Sequence, residues 1–97
     1  MLGGSSSHND MMYERGHPSN YDEWANITGD SSWKYANLLQ FFKKSENYMG
    51  KYTSSRGQHG VGGPWTISRS EYTPGQEIFM NAGKELGLSA IDSNGPQ

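Results

Sequence analysis

One segment of this chain carries the pattern of a strong amphipathic helix, and that segment sets the terms for the rest. In SSWKYANLLQFFKKSENY, Tyr35, Leu38, Leu39 and Phe42 fall at i, i+3, i+4 and i+7, one face of a helix. Asp30, Ser31 and Ser32 precede the stripe as N-terminal caps. Lys43 and Lys44 stand at a solvated C-terminal end, where cations suit the helix dipole. Phe41 lies off the stripe, so the spacing predicts cover on more than one side. Such a helix needs apolar partners, and few are on offer. Leu, Ile, Val and Phe together make 13 of the 97 residues, with a single valine. A domain of this length buries only somewhat over ~60% of its unfolded surface even with a good core. The composition therefore points to a piece of a larger core rather than a self-sufficient one.

The flanking stretches read mainly as loops. Residues 3–10, GGSSSHND, form a glycine- and serine-rich loop. In HPSNYDEWAN, Ser19 or Asn20 caps one or two helical turns through Trp24. MGKYTSSRGQHGVGGP has five glycines between Gly50 and Gly63 and reads as a long loop, a length that in compact units is usually functional or disordered. PWTIS, residues 64–68, predicts a short strand with proline at its first position. Thr73-Pro74-Gly75-Gln76 has the form of a capping box. The helix it opens would turn Ile78, Phe79, Ala82 and Leu86 to one side and stop at Gly87. No internal repeat is present.

Several classes of function are excluded or disfavoured. The chain has no cysteine, which removes disulfides and Cys-based metal sites and leaves the compartment open. No run approaches the ~18 apolar residues of a membrane span. The opening residues lack the basic region and apolar run of a signal peptide. The formal charge of −2, with no basic stripe, gives nucleic-acid binding little support. His8, His17 and His59 have no ligand spacing for zinc. Asp92-Ser93-Asn94-Gly95 has the form of half a calcium loop without the remaining ligands.

Seven blocks in order, LGGSSSHN, YERG, NYDEWA, FFKKSE, HGVGGPWTIS, GKELG and DSNGPQ, give a resemblance over essentially the whole chain. The sequence resembles the glucose–methanol–choline family of FAD-dependent oxidoreductases. Asn20 stands where the family usually has Asp. Members are several times longer, open on a dinucleotide-binding G-x-G-x-x-G unit and end on a catalytic histidine with a His or Asn partner. Neither is found here, so the resemblance implies a chain truncated at both ends. It implies an α/β parent, a Rossmann-like FAD-binding domain plus a substrate domain. This piece would be mainly loops with two or three helices and a short strand. Residues 1–63 would belong to the FAD-binding domain, with its flavin loop and lid region. Residues 64–97 would begin the junction with the substrate domain.

Glycine lets a backbone turn tightly and approach a ligand closely, and short hydroxyls supply donors and acceptors. By the resemblance this loop lies along FAD, and the asparagine matching Asn9 lies near the isoalloxazine ring. That assigns Gly3, Gly4, Ser5, Ser6, His8 and Asn9 to cofactor binding. His8 replaces the family's commoner aliphatic residue. In choline oxidases and some sugar dehydrogenases of the family, a histidine here is bonded to the flavin 8α-methyl carbon, a reaction that needs a neutral imidazole as nucleophile. FAD bonded to His8 is thus one expectation, and a histidine that only packs beside the ring or hydrogen-bonds nearby is the other. Arg15 suits a structural ion pair, or a bidentate carboxylate or phosphate contact. His59 matches a structural position and not the catalytic histidine. Tyr21 and Trp24 suit packing.

The implied partners are FAD and, in the whole protein, a small alcohol or sugar substrate. The catalytic residues would lie outside this chain, and the isolated segment would be inactive. A non-catalytic relative serving as a binding or structural protein is the alternative. A third reading, an independent small domain, conflicts with the sparse aliphatics.

Overall fold

The computed structural model describes residues 1–51, 57–69 and 73–96. After a single 3₁₀ turn at Gly4–Ser7 come helix α1 (Pro18–Thr28), a second 3₁₀ turn (Ser31–Trp33) and helix α2 (Tyr35–Ser45). Strand β1 (Glu46–Tyr48), strand β2 (Trp65–Ile67) and helix α3 (Gln76–Glu85) follow. The expectation of helices, loops and a short strand holds for these residues, with one strand more than expected.

α1 starts earlier and runs further than the sequence pattern suggests. His17, not Ser19 or Asn20, is its N-cap, and the His17 ring accepts the Ser19 N–H at 3.2 Å. Pro18 explains this. Its fixed φ suits the first helical position, and it keeps the residue before it extended. Gly29, at φ 70°, ends the helix in the left-handed region. Asp30 accepts the Ser32 N–H and so caps the short 3₁₀ turn rather than α2. The first N–H of α2, on Tyr35, is taken instead by Asp22 of α1 at 3.1 Å.

The apolar packing is an aromatic cluster between α1 and α2. Tyr21 meets Trp24, Tyr35 and Phe42 with ring centroids 5.2, 5.9 and 5.7 Å away, and Trp24 meets Trp33 at 5.9 Å. These are ordinary aromatic pair separations, tilted or edge-on. Burial raises the Tyr21 phenol above its ordinary range, Tyr35 and Tyr13 add to this, and Arg15 opposes it. Ala25 is the one buried apolar residue among those described.

α2 does not continue through SENY. At Glu46 the backbone turns extended and enters β1, which pairs in parallel with β2, Glu46 opposite Trp65 and Tyr48 opposite Ile67. The chain between them returns against the α2–β1 corner, where Gly60 and Gly63 are required. A Cβ on Gly60 would fall well inside contact distance of the Lys43 carbonyl, and one on Gly63 would meet the Glu46 backbone. Lys43 donates to the Gly57 carbonyl at 3.1 Å, so it is a tie to this return and not a solvated end.

α3 also begins differently. Gly75, at φ 78°, is its N-cap without a side-chain bond, and Thr73 contributes only its carbonyl, to Gln76 N–H. Its end is as expected. Gly87 is left-handed at φ 81°, Gly87 N–H bonds Lys84 and Leu88 N–H bonds Gly83, which is a Schellman closure. The apolar side of α3 stays open: Ile78, Phe79 and Leu86 are each almost fully exposed. The radius of gyration, 16.1 Å, exceeds the ~12.5 Å of a compact globule this long, so the chain is open for its length.

Candidate functional site

Two polar assemblies stand out, one exposed and one largely buried. The exposed one is the Gly3–Asn9 turn. Gly3 and Gly4 both occupy the left-handed region, at φ 92° and 61°. At Gly3 a Cβ would collide with the Ser7 hydroxyl, whereas Gly4 faces open space. The turn is fastened from its C-terminal side. His8 Nδ1 lies 2.9 Å from the Gly4 carbonyl, and Asn9 Nδ2 donates to the Ser5 carbonyl at 2.9 Å. Asn9 Oδ1 accepts the Met11 N–H at 2.8 Å, which holds Met11 at φ 55°, the one non-glycine residue with positive φ among those described. A carbonyl only accepts, so His8 Nδ1 carries the proton and, in the neutral ring, Nε2 is the bare nitrogen. No protein group among the described residues bonds the Ser5 or Ser6 hydroxyl.

All six residues assigned to cofactor binding therefore sit together on this exposed turn. Asn9 alone among them reaches the rim of the neighbouring groove, a concavity of about 1440 Å³ between the 9–14 segment, β2 and α3.

The buried assembly centres on Glu46, which is wholly inaccessible. Its Oε2 accepts Arg15 Nη2 at 2.6 Å and the Gly60 N–H at 3.1 Å, and its Oε1 lies 2.8 Å from His59 Nδ1. The other His59 nitrogen, Nε2, lies 2.7 Å from Asp92 Oδ2. Arg15 also donates Nη1 to the Gln58 carbonyl at 2.7 Å and lies over the Phe42 ring. Its Nε, and the Gln58 side-chain oxygen, are buried without a partner among the described residues. The Tyr48 ring stacks on His59 at 3.6 Å. Asn94 completes the assembly: Oδ1 accepts the Arg15 N–H at 2.8 Å and Nδ2 donates to the Tyr13 carbonyl at 2.8 Å.

Arg15 is thus a buried ion pair with a carboxylate, the structural one of its two sequence readings. Glu46 went unnoticed because SENY looks like the tail of a helix. Asp92 and Asn94 form not half a calcium loop but a turn in which Asp92 Oδ1 accepts the Asn94 N–H at 3.0 Å. A signal existed for Glu46 alone: Arg15 suits an ion pair with a carboxylate. Among the described residues no cluster of His, Cys, Asp or Glu is arranged to hold a metal, and no helix is long and apolar enough to cross a membrane.

The family model described as GMC oxidoreductase matches residues 1–97. The chain belongs to the GMC oxidoreductase family. Ecdysone oxidase of Spodoptera littoralis is 42% identical to it over 98 residues, which cover 95% of this chain and 16% of that protein. Glucose dehydrogenase [FAD, quinone] of Drosophila melanogaster is 40% identical over 96 residues, covering 98% and 15%. Oxygen-dependent choline dehydrogenase of Staphylococcus xylosus is 41% identical over 99 residues, covering 98% and 17%. Among solved structures, pyridoxine 4-oxidase from Mesorbium loti superposes with a TM-score of 0.74 at 36% identity, covering 92% of this chain and 17% of that one. The chain spans about a sixth of the length of the curated relatives it matches. GMC membership implies FAD as the cofactor.

The turn fits such a group. Gly4 leaves its backbone open to close approach, and the Ser5 and Ser6 hydroxyls are uncommitted donors suited to phosphate or ring oxygens.

Proposed function

We propose that this chain is the flavin-loop segment of an FAD-dependent oxidoreductase acting on the CH–OH group of an alcohol or sugar. The observation that carries the reading is the Gly3–Asn9 turn, with its paired left-handed glycines and open Gly4 backbone, in a chain that matches the GMC family throughout. Gly3 and Gly4 shape the backbone for close approach. Ser5 and Ser6 supply donors, and Asn9 holds the turn closed from the side nearest the groove. When bound, FAD accepts the hydride from the substrate carbon; the protein's part is to hold, orient and tune it. Residues 1–63 belong in this reading to the FAD-binding domain, and residues 64–97 begin its junction with the substrate domain.

His8 is the attachment point for the flavin in this proposal. Donation of Nδ1–H to the Gly4 carbonyl leaves the Nε2 lone pair free as the nucleophile. His8 Nε2 would hold the flavin through its 8α carbon, which would give up one proton, with two electrons leaving through the ring to the acceptor that reoxidises the flavin in turnover.

The whole protein tests both parts. Acid precipitation should leave yellow flavin in the pellet, and His8→Val should release it. Complete release from the unaltered protein would remove the covalent bond from the proposal. Purified protein that never copurifies with or takes up FAD would remove the function itself. The isolated 97-residue chain should not turn over substrate and should not retain FAD at micromolar concentration.

A further inference from the structure

The buried assembly is a closed ring of hydrogen bonds. Arg15 N–H bonds Asn94 Oδ1, Asn94 N–H bonds Asp92 Oδ1, and Asp92 Oδ2 meets His59 Nε2. His59 Nδ1 then meets Glu46 Oε1, and Glu46 Oε2 meets Arg15 Nη2, which returns to the start. An ionised carboxylate only accepts, so an imidazole between two of them must donate from both nitrogens. Two protons are thus needed across Glu46, His59 and Asp92. With both on the ring, two carboxylates, one imidazolium and the Arg15 guanidinium sum to zero charge, which suits a site where Arg15, Glu46 and His59 are buried and Asp92 partly so.

We propose that His59 is a buried imidazolium held between Glu46 and Asp92, and that through this ring it positions the segment leading out of the Gly3–Asn9 turn, so that flavin binding depends on its second proton. The positioning half rests on the flavin reading above. The lever is short: Asn94 grips the chain at both Tyr13 and Arg15, four and six residues beyond Asn9. His59 is a positioning residue here and touches no reacting atom. The groups facing it are Glu46, Asp92 and the stacked Tyr48. Arg15 and Gly60 N–H lie behind Glu46, and Gln58 and Phe42 contact Arg15. The sign follows directly. The ring is complete while both protons are present, and it opens as pH rises and one leaves, because a bare nitrogen then opposes a carboxylate in a buried, net negative site.

Asp92→Asn separates this from a merely structural role. An asparagine amide can donate to a neutral His59 Nε2, which restores both the hydrogen bond and zero charge with one proton fewer. The whole protein in a His8→Val background, where no bond to flavin forms, is titrated with FAD by flavin fluorescence from about pH 6 to about pH 10, upward from the ordinary imidazole range. The unfolding midpoint is measured over the same range. Expected is an FAD dissociation constant that rises at least about tenfold with pH, the scale of one lost buried hydrogen bond. The unfolding midpoint should fall in parallel, and Asp92→Asn should flatten both profiles.

A flat unfolding profile in the unaltered ring overturns the imidazolium, even if Asp92→Asn fails to fold. A pH dependence of the midpoint that survives in Asp92→Asn also overturns it. A sloping midpoint with a flat FAD profile overturns the positioning role and leaves the imidazolium standing. No FAD binding at any pH, with a sloping midpoint, overturns the flavin reading and the positioning role with it.

Discussion

The Gly3–Asn9 turn and the ring around Glu46 are both built from short polar and ionisable side chains, yet they solve opposite problems. Every side chain of the ring has its partner within the chain, from segments up to 81 residues apart, and almost no water reaches it. The turn is satisfied only by its own neighbours, four residues away or fewer, and presents free hydroxyls and bare backbone outward. A ligand loop has to leave donors unspent, and such a loop cannot hold its own position. The ring supplies that position from behind.

The comparison breaks most sharply at Glu46. Glu46→Ala strands Arg15 and His59 in a buried site and should cost about 3–5 kcal/mol of stability in the whole protein, read from denaturant unfolding. A loss below about 1 kcal/mol, the scale of an exposed pair, would mean that the ring holds nothing. Next is Gly60→Ala, which drives a methyl group into the Lys43 carbonyl and should cost about 1–3 kcal/mol by the same measurement.

On the other side of the comparison, Gly4→Ala forces alanine to φ 61° at a local cost of about 1–2 kcal/mol. Because the turn is exposed and self-contained, the unfolding midpoint should hardly move while FAD retention falls. Equal loss of both would show the turn to be part of the core.

Smaller effects come from titration. A phenol whose folded pKa is raised contributes stability below the ordinary phenol range, and loses it as pH rises through the folded value. One tyrosinate absorbance should accordingly develop above that range and be missing in Tyr21→Phe. Least of all, Asp30 is held below the ordinary carboxylate range by the Ser32 N–H and then by the Ser32 hydroxyl. Its cap is present above that range and lost as pH falls through the lowered value. Asp30→Ala should quicken Ser32 amide exchange and leave FAD retention unchanged.

Local patterns proved legible and distant pairings did not. The α2 stripe and the Gly87 stop are written in residues a few positions apart, and both occur as expected. Pro18 already carried the true start of α1, but the good capping residues Ser19 and Asn20 drew attention past it. Gly75 took the cap from Thr73 because only glycine accepts φ 78° easily at that corner. β1 was hidden for a different reason. ENY becomes strand because WTI, 19 residues on, lies beside it in register, and no property of three residues announces that. The glycines and serines of residues 3–9 announce a turn, and its assignment to a cofactor comes from the family resemblance. The buried ring shows in the sequence only as separate parts, since its closure depends on Asn94 reaching back to Arg15.

That reach also fixes an order of events in biosynthesis. Tyr13 and Arg15 are made some eighty residues before the asparagine that grips them. At about 5–20 residues per second, Asn94 follows them after about 4–16 s. Until then the Tyr13 carbonyl and the Arg15 N–H lack that grip, although Glu46 can pair the Arg15 guanidinium 31 residues on. Asn94, a residue remote in sequence from the Gly3–Asn9 turn, is therefore the last member of the ring to be made.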